Sequence, residues 1–118
     1  MGLDQNAYAR SGVINNAVDF DSEETDFEFA YWRKHANLQG WMEGLYRQKG
    51  GTDPDFNCVN LQLTLEDLDA LAEATLSHTT GFFFGETTDE DLARDKVFIA
   101  DARLRISNGE SVYYTAWY

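Results

Sequence analysis

Apolar positions along this chain switch between two periods, and the switches divide it into elements. From Asp26 to Gly50, the residues Phe29, Trp32, Leu38, Trp41, Met42 and Leu45 recur at spacings near three and four. That period predicts one helical run, or two shorter helices broken near His35–Asn37. Arg47 and Lys49 close the run, where positive charge complements a helix dipole, and Gly50-Gly51 supplies the stop. Phe56–Leu63 then alternates, with Val59, Leu61 and Leu63 on one side and Cys58, Asn60 and Gln62 on the other, as in a half-buried strand. Thr64 with Asp67 has the spacing of a capping box and opens a helix over Leu65–Leu76.

The remainder follows the same logic. Gly81–Gly85 encloses three phenylalanines between glycines and reads as a short buried strand. Thr88 caps a last helix whose stripe is Leu92, Ile99, Ala102 and Ile106, and Asn108-Gly109 ends it. Ser111–Tyr118 is an aromatic strand. Residues 1–26 carry only weak periodicity and read as an irregular acidic arm, with one short strand around Ser11–Ile14. The expected fold is α+β: a small sheet of three to four strands, parallel or mixed, covered by three to four helices. Single-helix crossovers between successive strands are what allow parallel pairing. At 118 residues the chain fits a single domain spanning 1–118.

Composition changes this picture in two ways. Three tryptophans, six tyrosines and eight phenylalanines imply a core or an interface built on large rings. Twenty-one acids against nine bases give a net charge of −12, which disfavours direct nucleic-acid binding and anionic membranes and favours cationic partners. Many acids open helices and need no other explanation: Glu66, Asp67 and Asp69 on one, Asp89, Glu90 and Asp91 on the next. The run Asp19, Asp21, Glu23, Glu24, Asp26 and Glu28 is different, because no base lies between Arg10 and Arg33. Such a run suits a solvated segment or docking to a basic protein surface.

Candidate chemistry is sparse. His35 and His78 have no metal-ligand partner at a recognised spacing, so neither metal nor cofactor is expected. Cys58 is the lone cysteine, without a hydrolase signature, and excludes an internal disulfide. The Gly81–Gly85 stretch lacks the lysine of a phosphate cradle. No apolar stretch is long enough to span a bilayer and no secretory signal precedes the domain, which leaves the cytoplasm as the expected compartment.

Several blocks carry a resemblance. Phe29-Ala30-Tyr31-Trp32-Arg33-Lys34-His35 with Leu38-Gln39-Gly40-Trp41-Met42-Glu43, Phe56-Asn57-Cys58-Val59, Thr80–Gly85 and Val112-Tyr113-Tyr114-Thr115 resemble a family of small uncharacterised proteins of tailed bacteriophages and marine viruses. The likeness covers roughly residues 28–118. Some members bear a phosphoglycerate-kinase-like label, but that enzyme is a much larger two-domain protein. The resemblance implies a phage accessory protein acting in the host cytoplasm by binding a host or phage protein, basic or nucleic-acid-binding.

The leading expectation is therefore a non-enzymatic binding protein, with a homodimer also open. Its contact residues would be Trp32, Arg33, His35 and Trp41, backed by Asp19, Asp21, Glu23, Glu24 and Asp26. A self-complementary contact could use the bases of the last helix or the aromatic terminal strand as a sheet edge. One alternative is a small enzyme or ligand-binding module with a pocket at Tyr31, Trp32, His35 and Cys58. There His35 would act as general base, or Trp32 and Arg33 would clamp a planar anion. The other is a nucleic-acid mimic, which requires carboxylates spaced like phosphates along one elongated face.

Overall fold

The computed structural model describes residues 2–81 and 84–118. It is α+β: strands β1 (Asp4–Ser11) and β2 (Phe27–Arg33), helix α1 (Ala36–Gln48), strand β3 (Leu61–Leu63), helices α2 (Leu65–Glu73) and α3 (Asp89–Ser107), and strand β4 (Glu110–Trp117). The four strands form one sheet in the order β2-β1-β4-β3, and every neighbouring pair is antiparallel.

The sheet corrects the expectation of parallel or mixed pairing, and chain direction explains why. The expected strand at Gly81–Gly85 is not seen in its described residues Gly81, Phe84 and Gly85, while Phe82 and Phe83 lie outside the described residues. Two helices, α2 and α3, therefore separate β3 from β4. One carries the chain away and the other returns it, so β4 enters beside β3 in the opposite direction. The single-helix crossover β2–α1–β3 joins strands at opposite edges, which never pair.

The expected irregular arm contains the central strand. β1 is interior to the sheet and buries Gln5, Ala7 and Ala9 on one face, with Asp4, Asn6, Tyr8 and Arg10 on the other. The alternation is regular, but its buried side is alanine and glutamine, so it carries almost no hydrophobic signal. Residues 12–26 hold no helix or strand, only an isolated bridge between Val18 and Leu61.

Residues 27–33 are a strand where helix was expected. The register against β1 shifts between Ala7 and Tyr8, so the ladder skips Phe29. That β-bulge lets both Phe29 and Trp32, three residues apart, reach Phe98 of α3, with ring centroids 5.8 and 4.9 Å away. A bulged strand thus imitates a helical spacing. The helix proper starts at Ala36, at the break expected near His35–Asn37, and Gly50 ends its last turn at φ +96.

Local signals hold elsewhere. Thr64 and Thr88 each make a complete capping box, with Asp67 and Asp91. α2 stops at Glu73, three residues short of the expected end, and β4 begins at Glu110. The strand expected at Phe56–Leu63 is confined to Leu61–Leu63. β4 lies inside the sheet, so the terminal aromatic strand is not the edge it was expected to be.

The three helices cover one face of the sheet. Leu3, Ala7, Trp32, Tyr114 and Val112 from the sheet side meet Leu38, Met42, Leu68 and Phe98 in one continuous core. The opposite face carries no helix.

Candidate functional site

The block singled out by sequence divides between two environments. Alternation along β2 puts Tyr31 and Arg33 outside and Trp32 inside, and His35 follows Trp32 into the core. Trp32 is 1% exposed and His35 0%. Neither side chain can meet a partner, which corrects their assignment as contact residues. Trp41 is half-buried against the core, and Arg33 pairs with Asp4 on the open face at 3.2 Å.

Buried, these groups form a closed polar network. The Trp32 Nε1–H donates to Asp95 Oδ1 at 3.1 Å, and His35 Nε2 meets Asp95 Oδ2 at 2.8 Å. His35 Nδ1 lies 2.8 Å from Thr87 Oγ1, which accepts the Asn37 N–H at 3.0 Å. Both ring nitrogens therefore have partners, Thr87 at Nδ1 and Asp95 at Nε2. Thr87 thereby satisfies a free N–H in the first turn of α1, whose N-cap His35 offers no side-chain cap. A second branch starts at Gln5, whose amide donates to the His35 carbonyl and to Tyr114 Oη, both at 2.9 Å. The Tyr114 hydroxyl donates to Gln39 Oε1 at 2.6 Å, and Gln39 donates to the Phe56 carbonyl at 3.0 Å. Burial pushes the Tyr114 phenol well above its ordinary range.

This network can hold elements together; it offers no free group for chemistry. Both His35 nitrogens and both Asp95 oxygens are engaged, and among the described residues no buried side-chain nitrogen or oxygen lacks a partner. Cys58 is exposed on the opposite face of the sheet, so the pocket expected at Tyr31, Trp32, His35 and Cys58 does not form. Among the described residues, no group of three or more His, Cys, Asp and Glu side chains is placed to hold a metal.

The acidic run packs on the helix-free face. Arg10, the only base in residues 1–32, is held in a two-point pair by Asp26, Nε to Oδ1 at 2.8 Å and Nη2 to Oδ2 at 2.9 Å. Tyr113 Oη and the Glu23 N–H also donate to Asp26 Oδ2, at 2.6 and 2.9 Å. The Arg10 hydrogen bond is the main reason the Asp26 carboxyl is held down at about 2. Burial first, then Asp26, pushes Tyr113 up to about 12. Asp19 accepts the Tyr46 hydroxyl at 2.7 and 3.0 Å, which ties the run to α1. Asp26, expected as a contact residue, is therefore a fastener within the chain, and Asp19, which stays exposed, is tied to Tyr46 as well.

Those fasteners shape a groove of about 600 Å³. Its floor is the open face of β1 and β4, with Asn6, Tyr8, Tyr113, Thr115 and Trp117. Tyr8 stacks on Tyr113 at 5.4 Å, Phe20 meets Tyr113 edge-on at 5.1 Å, and Trp117 is 63% exposed. One wall carries Asp21, Glu23, Glu24 and Asp26, the other Cys58 and Asn60, and neither lysine nor arginine lines it. Asp21, Glu23 and Glu24 are exposed.

Sequence reasoning named the acidic wall and missed the floor. The alternation of Tyr113, Thr115 and Trp117 within the terminal strand was the available signal for it. The acids are also not confined to this place: they sit at Asp53 and Asp55, on α2 and at the head of α3, on a body measuring 35 × 29 × 25 Å. The single elongated acidic face of a nucleic-acid mimic is not what the described residues form. No helix among the described residues is long and apolar enough to cross a membrane. The chain matches no family model, no curated protein and no solved structure.

Proposed function

We propose that this is a non-enzymatic binding protein whose partner is a protein presenting a basic segment, received in the groove on the helix-free face. The observation that carries the reading is the combination of an aromatic floor with a carboxylate wall in one groove that no base lines. Arg and Lys side chains fit both parts, lying over the faces of Tyr8 and Trp117 while their charged heads reach Asp21 and Glu24; Glu23 is already paired with Arg10 at 3.4 Å. The resemblance of residues 28–118 to small phage proteins supplies the setting, with a host or phage protein as the partner and the host cytoplasm as the compartment.

The test is a fluorescence-anisotropy titration with a dye-labelled arginine-rich peptide and a dye-labelled neutral peptide of equal length, a readout that does not depend on the protein's own tryptophans. The expected result is saturable binding of the basic peptide. It should weaken with salt, and weaken at least about tenfold in Trp117→Ala and in the double variant Asp21→Asn/Glu24→Gln. Equal response to both peptides, or binding that ignores both variants, would sink the proposal.

A further inference from the structure

Helix α2 ends early, and the gap it leaves is a cavity. The helix expected to reach Leu76 stops at Glu73, where Ala74 turns extended at φ −71 and ψ 142. Residues 74–76 therefore leave the helix axis. A cavity of about 350 Å³ opens between them, the last turn of α2 and one face of α3. That face is Leu92, Asp95, Lys96 and Ile99, whose spacings of three, one and three bring them to one side of a helix. Leu71 and Leu76 stand opposite. The volume is at the lower end of the roughly 300–1,000 Å³ of small-molecule sites, which suits one small molecule and is too little for a nucleotide or a folded segment.

Two charges face this cavity from consecutive residues. Asp95 is 7% exposed, and its oxygens meet the Trp32 and His35 rings at 3.1 and 2.8 Å, with no Lys or Arg paired to it among the described residues. Each oxygen has accepted one contact and keeps a second lone-pair direction. The end of α2 adds partial negative charge through its last carbonyls, since no base sits in its last turn. The depth of the cavity therefore suits an ammonium group. Lys96 is exposed and makes no ion pair among the described residues, so the mouth suits a carboxylate. Between the two charges the walls are aliphatic.

We propose that this cavity binds a free α-amino acid with an aliphatic side chain of about leucine size. Its ammonium meets Asp95, its carboxylate meets Lys96, and its side chain lies among Leu71, Leu76, Leu92 and Ile99. The charges come from neighbouring residues, so the two heads of the ligand must lie close together, as they do on one α-carbon. A ligand with its charges at opposite ends of a long chain would not fit both. The cavity is on the helix-covered side of the sheet, away from the groove, so the proposal stands independently of the binding function.

Titration of the isotope-labelled full chain with L-leucine, followed by NMR, tests this. The Trp32 indole N–H is the reporter, because it donates to Asp95. A saturable shift of that resonance and of the Leu71 and Ile99 amides is expected, while the Tyr8 and Thr115 amides in the groove stay still. Leucinamide lacks the carboxylate, isocaproate lacks the ammonium and glycine lacks the side chain; each should bind at least about tenfold more weakly. Lys96→Ala changes an exposed position and should weaken leucine at least about tenfold while leaving leucinamide unchanged. Absence of a saturable shift up to about 20 mM leucine overturns the proposal. So does leucinamide or isocaproate binding as well as leucine, or a Lys96→Ala chain that binds leucine like wild type.

Discussion

The two faces of the sheet solve the same problem, fixing polar groups against a β-surface, by opposite means. On the helix-covered face, Gln5, Trp32, His35, Thr87, Asp95 and Tyr114 satisfy one another with one carboxylate and no Lys or Arg partner. On the open face, Arg10 and Asp26 fold the segment 19–26 back through a charge-assisted pair and leave other carboxylates facing outward. The first arrangement excludes solvent and determines where α1 begins. The second uses charge where water is close, and what it leaves over is an accessible groove with Asp21 and Glu24 exposed on its wall.

The largest expected effect is on the covered face. Asp95→Ala leaves the Trp32 and His35 N–H donors buried without acceptors, and should cost about 3 kcal/mol in urea unfolding. Asp95→Asn, which retains one acceptor, should fall between. If Asp95→Ala unfolds like wild type, the network is not what holds that face.

The open face should show itself in pH dependence. Asp26 is depressed to about 2, against roughly 3.9 when unfolded, so its contribution is present above pH 4 and is lost as pH falls from about 4 to about 2. Its side chain is only 2% exposed, so that contribution is about 2 kcal/mol. Asp26→Asn should flatten this acid limb of a stability–pH profile, and Arg10→Ala should shrink it. Acid limbs that match wild type in both variants would remove the pair from the account.

Tyr113→Phe comes next, at about 1 kcal/mol for the lost hydrogen bond to Asp26. Tyr113 is raised to about 12, so its neutral form is the one the fold keeps. Stability it contributes is whole below about pH 10 and declines as pH rises toward 12. Phenolate absorbance during alkaline titration should show one late-titrating tyrosine fewer in Tyr113→Phe. The smallest stability effect belongs to Trp117→Ala, within about 0.5 kcal/mol, because the side chain is exposed. A large stability loss there would show that the groove floor is structural and weaken its role as a binding surface.

How much of this was legible in the sequence depended on whether the signal was local. Thr64 with Asp67 and Thr88 with Asp91 announced their helices because a capping box is written within four residues. β4 announced itself by its run of aromatics. β1 did not, since what makes Ala7 and Ala9 interior is the chain folded over them and not their own hydrophobicity. β2 misled because its bulge gives Phe29 and Trp32 a helical spacing. The unusual block Trp32–His35 was noticed correctly and interpreted wrongly: tryptophan and histidine with a distant aspartate also make a buried network, and Asp95 is sixty residues further on. The acidic run was visible, but its pairing with Arg10 and not with Arg33 was not written in the sequence. The groove was not, because its floor comes from both ends of the chain.

That floor has a kinetic side. β1 and β4 pair over eight residues, from Asp4 with Trp117 to Ser11 with Glu110, and Gln5 reaches Tyr114 across 109 positions. β1 can pair with β2, and β4 with β3, but the two halves become one sheet only when β1 meets β4. Bringing them together closes almost the whole chain into a loop before its central ladder can form, while α2 and α3 close only short ones. A chain with this topology should fold slowly for its size, and its barrier should be sensitive to changes along β1 and β4 and indifferent to the helix caps. The alanines that hid β1 from view are inconspicuous in composition, but the strand they belong to sets the pace at which the molecule is made.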